Sequence, residues 1–210
     1  MVTPRQSLKM AIDAVDRATS REELLLATHT LAELADLHAV PKLIEVLGFN
    51  NPLLAHVAIR GIIKIGADAV PLVLENLDPE NYSARAWSVR ALAQIRDSRA
   101  LELLSYVVLN DIGPSVRYAA AKGLGVMVLS SLPAVAESQH QKCIHALSLA
   151  SSDSEWTVRY AACVGLERRL LNHVSQVQAF DALVKMSTLT DTPPILRDRA
   201  NISLQRLNVT

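Results

Sequence analysis

Residues 111–125 read Asp-Ile-Gly-Pro-Ser-Val-Arg-Tyr-Ala-Ala-Ala-Lys-Gly-Leu-Gly. The form is an Asp, a short turn, Val-Arg, and then a helix of small residues that closes at Gly. Variants of it recur along the chain, and self-similarity at a fixed period is the mark of a stacked repeat. Anchored on their small residues, the second helices align as residues 55–62, 85–92, 117–124, 159–166 and 197–204, with spacings of 30, 32, 42 and 38. A shorter apolar helix precedes each, at residues 40–47, 69–77, 100–109, 141–150 and 180–186, and a turn of Asn, Asp, Pro or Gly joins the two. The extra length of the later units falls at residues 130–140 and 170–178.

This period predicts an all-α, right-handed solenoid of HEAT-like helix pairs, about five to six units, in a single domain over residues 1–210. In the third full unit a helical wheel places Val116, Ala119, Ala120, Gly123, Leu124 and Met127 on one face, and Arg117, Tyr118, Ala121, Lys122 and Gly125 on the other. One helix pair covers only one side of its core, so neighbours must stack, with the second helices lining the inner surface. Residues 1–38 read as a degenerate first repeat. It has a helix over 7–18 capped by Ser7, and a second from Ser20, where Glu23 completes a capping box ahead of the stripe Leu24, Ala27, Leu31 and Leu34. Residues 170–210 form a divergent last repeat.

Half of the residues are hydrophobic, enough for a full core, and 21 cations balance 21 anions, which leaves no global field to attract nucleic acid. Aromatic residues are only 4%, a composition that suits close helix packing and not a sheet sandwich. Cys143 and Cys163 are too few for a disulfide framework, and the first residues lack a signal segment, so a reducing cytoplasmic setting is expected. Apolar runs such as residues 69–74 are far below the roughly 20 residues of a membrane helix, so no direct membrane insertion is expected.

Arg85, Arg117, Arg159 and Arg197 share one repeat position; Asp111, Asp153 and Asp191 each stand six residues earlier, and Asp78 stands seven before Arg85. A turn Asp that caps its helix and meets an Arg of its own or an adjacent unit would form a structural ladder of charge-assisted bonds; direct ligand contact is the other reading. Five positions on, Arg60, Arg90 and Lys122 recur as a basic stripe, fitted either to ligand carboxylates or an acidic partner helix, or simply to solvent. Tyr82, Pro114, Trp156 and Pro194 lie three residues before the aligned Arg, where the second helix starts. Pro suits that first turn, while Tyr82 and Trp156 either border a flat ligand or staple the turn. Trp87 aligns with Ala119 and reads as core.

His140, Cys143 and His145 have poor spacing for a metal: the first two share a helical face and the third points away, so no metal site is expected. Cys143 remains a candidate nucleophile or transient carrier, and Cys163 a weaker one. No phosphate loop, nucleophile elbow or paired catalytic carboxylate appears, so the catalytic residues are not identified.

At residues 81–93, Asn-Tyr-Ser-Ala-Arg-Ala-Trp-Ser-Val-Arg-Ala-Leu-Ala, and again at 115–125 and 39–52, the chain resembles the HEAT-repeat phycobilin lyases of cyanobacteria and red algae. The likeness covers about residues 5–167 and is strongest to the F-type subunits of heterodimeric lyases. It implies that the chain acts with an E-type partner to attach phycocyanobilin, an open-chain tetrapyrrole, by a thioether to a cysteine of the phycocyanin α subunit, reversibly or not. It implies no resident cofactor, the bilin being substrate, and a cytoplasmic place near the thylakoid through phycobilisome components. Under it Arg60, Arg90 and Lys122 face bilin propionates or an acidic partner, while Tyr82, Trp156 and Tyr118 border the pigment. Two further readings stay open: a non-enzymatic adaptor or phycobilisome disassembly factor, and an isomerising phycoerythrocyanin lyase subunit. The latter is associated with a Cys-His motif that residues 126–133 lack.

Overall fold

A computed structural model describes residues 3–171, 177–188 and 192–207. Two compact units, Met1–Ile95 and Arg96–Thr210, are each built from helix pairs. The first holds α1 (Pro4–Arg17), α2 (Arg21–Glu33), α3 (Val40–Leu47), α4 (Pro52–Ile65), α5 (Ala69–Glu75) and α6 (Tyr82–Ile95). The second holds α7 (Leu101–Asn110), α8 (Pro114–Val126), α9 (Pro133–Ala150), α10 (Trp156–Leu170), α11 (Val177–Thr188) and α12 (Pro194–Arg206). The fold is all-α, with an isolated bridge between Asp97 and Val128. No helix among the described residues is long and apolar enough to cross a membrane.

Each second helix from α4 onward starts three residues before its alignment anchor, at Pro52, Tyr82, Pro114, Trp156 or Pro194. Proline fits there because the first turn has no acceptor for its missing N–H. Within the first unit α4 packs between α2 and α6, and α3 packs on α5; within the second α10 packs between α8 and α12, and α9 between α7 and α11. First and second helices thus form two layers in each unit. The core between them carries Leu31, Leu43, Leu47, Ile62 and Leu92 in one, and Leu104, Leu124, Ile144, Leu147, Leu166, Leu183 and Leu196 in the other, all fully buried.

Several local features differ from the sequence expectation. The first helix begins at Pro4, because Thr3 accepts from the Gln6 amide while the Gln6 side chain accepts from the Thr3 amide; Ser7 lies inside the helix. Ser20 does cap α2, and Glu23 reaches back to the amide and hydroxyl of Thr19 as well as toward the Ser20 backbone. Leu34, expected in the stripe, is exposed. Residues 133–140, expected between units, form the first turns of α9 behind Pro133 at its start. Residues 172–176, part of the other long connection, lie outside the described residues.

The larger correction concerns α8. Ala121 and Gly125, assigned to its open face, are buried. A Cβ added to Gly125 would stand 2.6 Å from the Gly165 Cα, and one added to Gly165 would stand 3.0 Å from the Leu147 methyls. The backbones of α8 and α10 therefore touch, which no larger side chain permits. That approach leaves helix-end carbonyls to be satisfied by groups distant in sequence. Arg169 of α10 donates to Leu124 at 2.9 and 2.6 Å and to Met127 at 2.8 Å, closing the end of α8. In the first unit Ser83 and Asn81 play the same part for the carbonyls of Leu47 and Gly48, at 2.7 and 3.3 Å.

Gly125→Ala sets two effects against each other. Helix propensity favours Ala by about 1 kcal/mol, whereas forcing two packed backbones apart costs about 1–3 kcal/mol. Thermal melts followed by circular dichroism should show a net loss of stability, and an increase in melting temperature would disprove the contact.

Candidate functional site

The repeated Arg residues are structural in their contacts. Arg85, Arg117 and Arg159 each turn back six residues to the carbonyl of Pro79, Asp111 or Asp153 in the turn before their helix. Arg117 adds a two-pronged bond to Asp153 of the neighbouring pair, Nε to Oδ2 at 2.7 Å and Nη2 to Oδ1 at 2.9 Å. Their side chains are 11% and 8% exposed. The turn aspartates close tight Asx turns: Asp111 accepts from Gly113 and Asp153 from Glu155, both at 2.8 Å. Asp78 does likewise with Glu80 and Asn81. Arg197 is half-buried, and Asp191 lies outside the described residues.

A second polar cluster, absent from the repeat pattern, joins α10 to α12. Glu167 is buried and accepts from Arg199 at 2.6 Å, Ser203 at 2.8 Å and Arg206 at 3.0 Å. Burial pushes the carboxyls of Asp153 and Glu167 upward, but the hydrogen bonds from Arg117 and the Glu155 amide in one case, and from Ser203, Arg206 and Arg199 in the other, outweigh it and hold both below the ordinary carboxylate range. Glu167 stands at the repeat position of Gly125, on the side of the helix that the wheel reads as open, so no sequence pattern singled it out.

The stripe residues separate by unit. Arg60 is exposed. Arg90 is half-buried with its guanidinium 4.7 Å from the Trp87 ring centre. Trp87 is half-buried, not core: His56 meets it edge-on with ring centres 4.7 Å apart. The His56 Nδ1 lies 2.6 Å from the Pro52 carbonyl, which makes it the donor tautomer at that atom. Tyr82 is exposed, with the Arg85 guanidinium 5.6 Å from its ring centre.

In the second unit α8, α10 and α12 line an open groove of about 470 Å³ with Ser115, Tyr118, Trp156, Thr157, Tyr160 and Ile195. It is assembled by the repeat itself. Ser115, Thr157 and Ile195 occupy one repeat position, two residues before the aligned Arg, and Tyr118 and Tyr160 occupy another, one residue after it. Lys122, one turn beyond Tyr118, is exposed with its ammonium 5.5 Å from the Tyr118 ring centre. Of the residues proposed from sequence, Tyr118 and Trp156 meet here, and Lys122 stands beside Tyr118 outside the lining. Tyr160, Ser115, Thr157 and Ile195 were missed, although Arg-Tyr-Ala-Ala at both 117–120 and 159–162 was a legible signal for Tyr160.

Neither cysteine is built for chemistry. Both are buried, and burial pushes both thiols up, away from the thiolate form. His140, three residues before Cys143, is buried while His145 is exposed. Among the described residues no group of three His, Cys, Asp or Glu side chains could hold a metal ion.

These features define a helical-repeat protein with an aromatic-lined groove, and comparison with known proteins narrows the class. The repeat described as PBS lyase HEAT-like matches residues 84–105. The bilin biosynthesis protein RpcF of Synechococcus sp. WH8020 is 43% identical over 95% of this chain and 96% of its own length. The phycocyanin alpha phycocyanobilin lyase CpcF of Synechocystis sp. PCC 6803 is 45% identical over 80% of this chain and 78% of its own. A chain in the solved complex of CpcE and CpcF of phycocyanin lyase from Nostoc sp. PCC7120 superposes with a TM-score of 0.75 at 38% identity, covering 80% of this chain and 99% of that one. The chain belongs to the family of F-type HEAT-repeat phycobilin lyase subunits.

Two predictions separate scaffold from surface. Arg117→Ala leaves the Asp153 carboxylate buried without its partner and should cost about 3 kcal/mol, lowering the melting temperature by roughly 5–10 °C. Lys122→Ala, at an exposed site, should stay within about 0.5 kcal/mol of the parent; equal effects would refute the division. The carboxylates also set an acid limit. Because Asp153 and Glu167 bind protons less readily folded than unfolded, their contribution is present above ordinary carboxyl values of about 4 and is lost as pH falls through their lowered folded values. Melts between pH 6 and 2.5 should show a steep acid loss, and Asp153→Asn should start less stable and lose less.

Proposed function

We propose that this chain, with an E-type partner, forms a heterodimeric bilin lyase that joins phycocyanobilin through a thioether to a cysteine of the phycocyanin α subunit. Membership of the F-type family along nearly the whole chain carries the reading. The chemistry is an addition: the acceptor sulfur bonds to a carbon of a bilin double bond, the thiol proton goes to the other carbon, and nothing leaves. The reverse is an elimination, so one scaffold serves both directions. Such a catalyst holds the bilin and presents the thiol, and proximity supplies much of the rate. The thiol comes from the acceptor, in keeping with the burial of Cys143 and Cys163.

The bilin is a substrate in this reading, with no resident cofactor, and the reaction belongs in the cytoplasm beside phycobilisome components. Arg60, Arg90 and Tyr82 are assigned to an acidic partner or acceptor surface of the first unit. Ligation without isomerisation is favoured because residues 126–133 contain neither Cys nor His.

Co-expression with an E-type subunit, a source of phycocyanobilin and the apo α subunit of phycocyanin should yield a bilin adduct that survives acid denaturation and fluoresces with zinc. An adduct level equal to that of the acceptor and bilin alone would defeat the lyase reading. Binding of holo-subunit without transfer would instead establish the adaptor.

A further inference from the structure

The outermost repeat of a stacked fold ordinarily shows solvent a polar face, and the first helix pair of this chain departs from that. Met10, Ala14 and Arg17 of α1 and Glu23, Leu26 and Leu34 of α2 line an open groove of about 680 Å³. Met10 and Leu26 are 63% and 69% exposed. On α2 the groove residues lie on the side opposite Ala32, whose methyl would stand 2.7 Å from a Cβ added to Gly61 of α4. The stack therefore covers one side of α2 and leaves an apolar stripe on the other, the pattern of a helix pair that packs on both sides.

Charge identifies the occupant. Helix α1 carries Arg5, Lys9 and Arg17 against Asp13 and Asp16, and α2 carries Glu22, Glu23 and Glu33 against Arg21. Lys42 already holds Asp16 at 2.7 Å and Lys64 holds Glu33 at 2.8 Å, which leaves α1 predominantly positive and α2 predominantly negative. Arg17 and Glu23 bring that contrast into the groove itself. Only residues 18–20 join the two helices, so they run antiparallel, and Arg17 at the end of α1 stands level with Glu23 at the start of α2. Such a surface is complementary to itself. A two-fold axis parallel to the helices sets α1 of one copy on α2 of the other, antiparallel and at the same height, so that each Arg17 faces Glu23 of the other copy. An axis across the helices would set α1 on α1 and α2 on α2, with like charges opposed. The formal net charge of zero adds no long-range repulsion between copies.

We propose that this chain associates with a second copy of itself through α1 and α2, in an up-down bundle of four helices. The 14 residues of α1 span about 21 Å, and helices pack about 10 Å apart, so each copy contributes about 400 Å². That is about half of the 800 Å² per partner of a standard interface, so the dimer is reversible, with a dissociation constant in the micromolar range. No residue of α4 to α12 takes part, and the pairing is independent of the lyase reading.

Sedimentation velocity of the purified full chain between about 1 and about 200 μM should show a shift from monomer to dimer. Leu26→Glu, at an exposed site, should weaken the dimer about tenfold or more while circular dichroism and melting temperature stay at the parental values. Arg17→Glu and Glu23→Arg should each weaken self-association several-fold, and mixing the two variants should restore the dimer, because only the mixed pair opposes unlike charges at both contacts. Since both charged side chains are exposed, the mixing experiment decides the matter even if Leu26→Glu fails to fold. A chain that stays monomeric throughout, a dimer that Leu26→Glu leaves intact, or a mixture that behaves as its separate components would overturn the assignment. So would a monomeric chain whose binding to an E-type subunit falls with Leu26→Glu, a result that gives the groove to that partner instead.

Discussion

The second unit depends on the contact of two helix backbones at Gly125 and Gly165. With no Cβ on either side, α8 and α10 come close enough that a single added carbon would lie 2.6 Å from a neighbouring Cα. Everything else in that unit is arranged around this distance. Ala119, Ala120, Ala121, Ala161 and Ala162 are buried because nothing larger fits between helices so close. Arg169 is buried because the end of α8 is sealed from water and its carbonyls need a donor. The aromatic groove follows too, since its walls stand on the same helices, about two turns from the contact.

Charge plays a different part from apolar packing. The Arg117–Asp153 pair and the Glu167 cluster are nearly buried, and the desolvation of such groups consumes much of what their attraction returns. Their value lies in specificity. Only one register lets the Arg117 fork meet the Asp153 carboxylate while also reaching the carbonyl of Asp111, and the same register sets Gly125 against Gly165. The arginine repeat is thus a register device. It fills the position that a reader of the sequence would first suspect of chemistry.

The residue that follows the aligned Arg differs between repeats. One position after the anchor the chain carries His56, Ala86, Tyr118 and Tyr160 in successive units, so each unit presents a different surface at the same place. In the second unit the two tyrosines and Trp156 build an aromatic groove; in the first, His56 and Arg90 flank Trp87. Where this position lies outside the buried stripe that stacking requires, as at His56, Tyr118 and Tyr160, a repeat scaffold can vary it; Ala86 is buried.

The repeat period, the all-α class, the starts of the second helices and the buried stripe were legible in the sequence, because they follow from local periodicity and from proline and small residues at fixed offsets. The likeness at residues 81–93 and 115–125 was legible as well, and it pointed to the family. Tertiary structure decided the rest. Ala121 and Gly125 lie on the side of α8 that a single-helix wheel calls open, and they are buried only because α10, 40 residues on, occupies that side. Trp87 was read as core from its alignment with Ala119, yet an indole is too large for a site made for a methyl group, so it stays half-exposed against His56 and Arg90. Tyr160 and Ile195 joined Tyr118 through a groove that no single helix contains. A pattern within one helix reports which side of it seeks cover, and only the packed neighbours determine how many sides receive it.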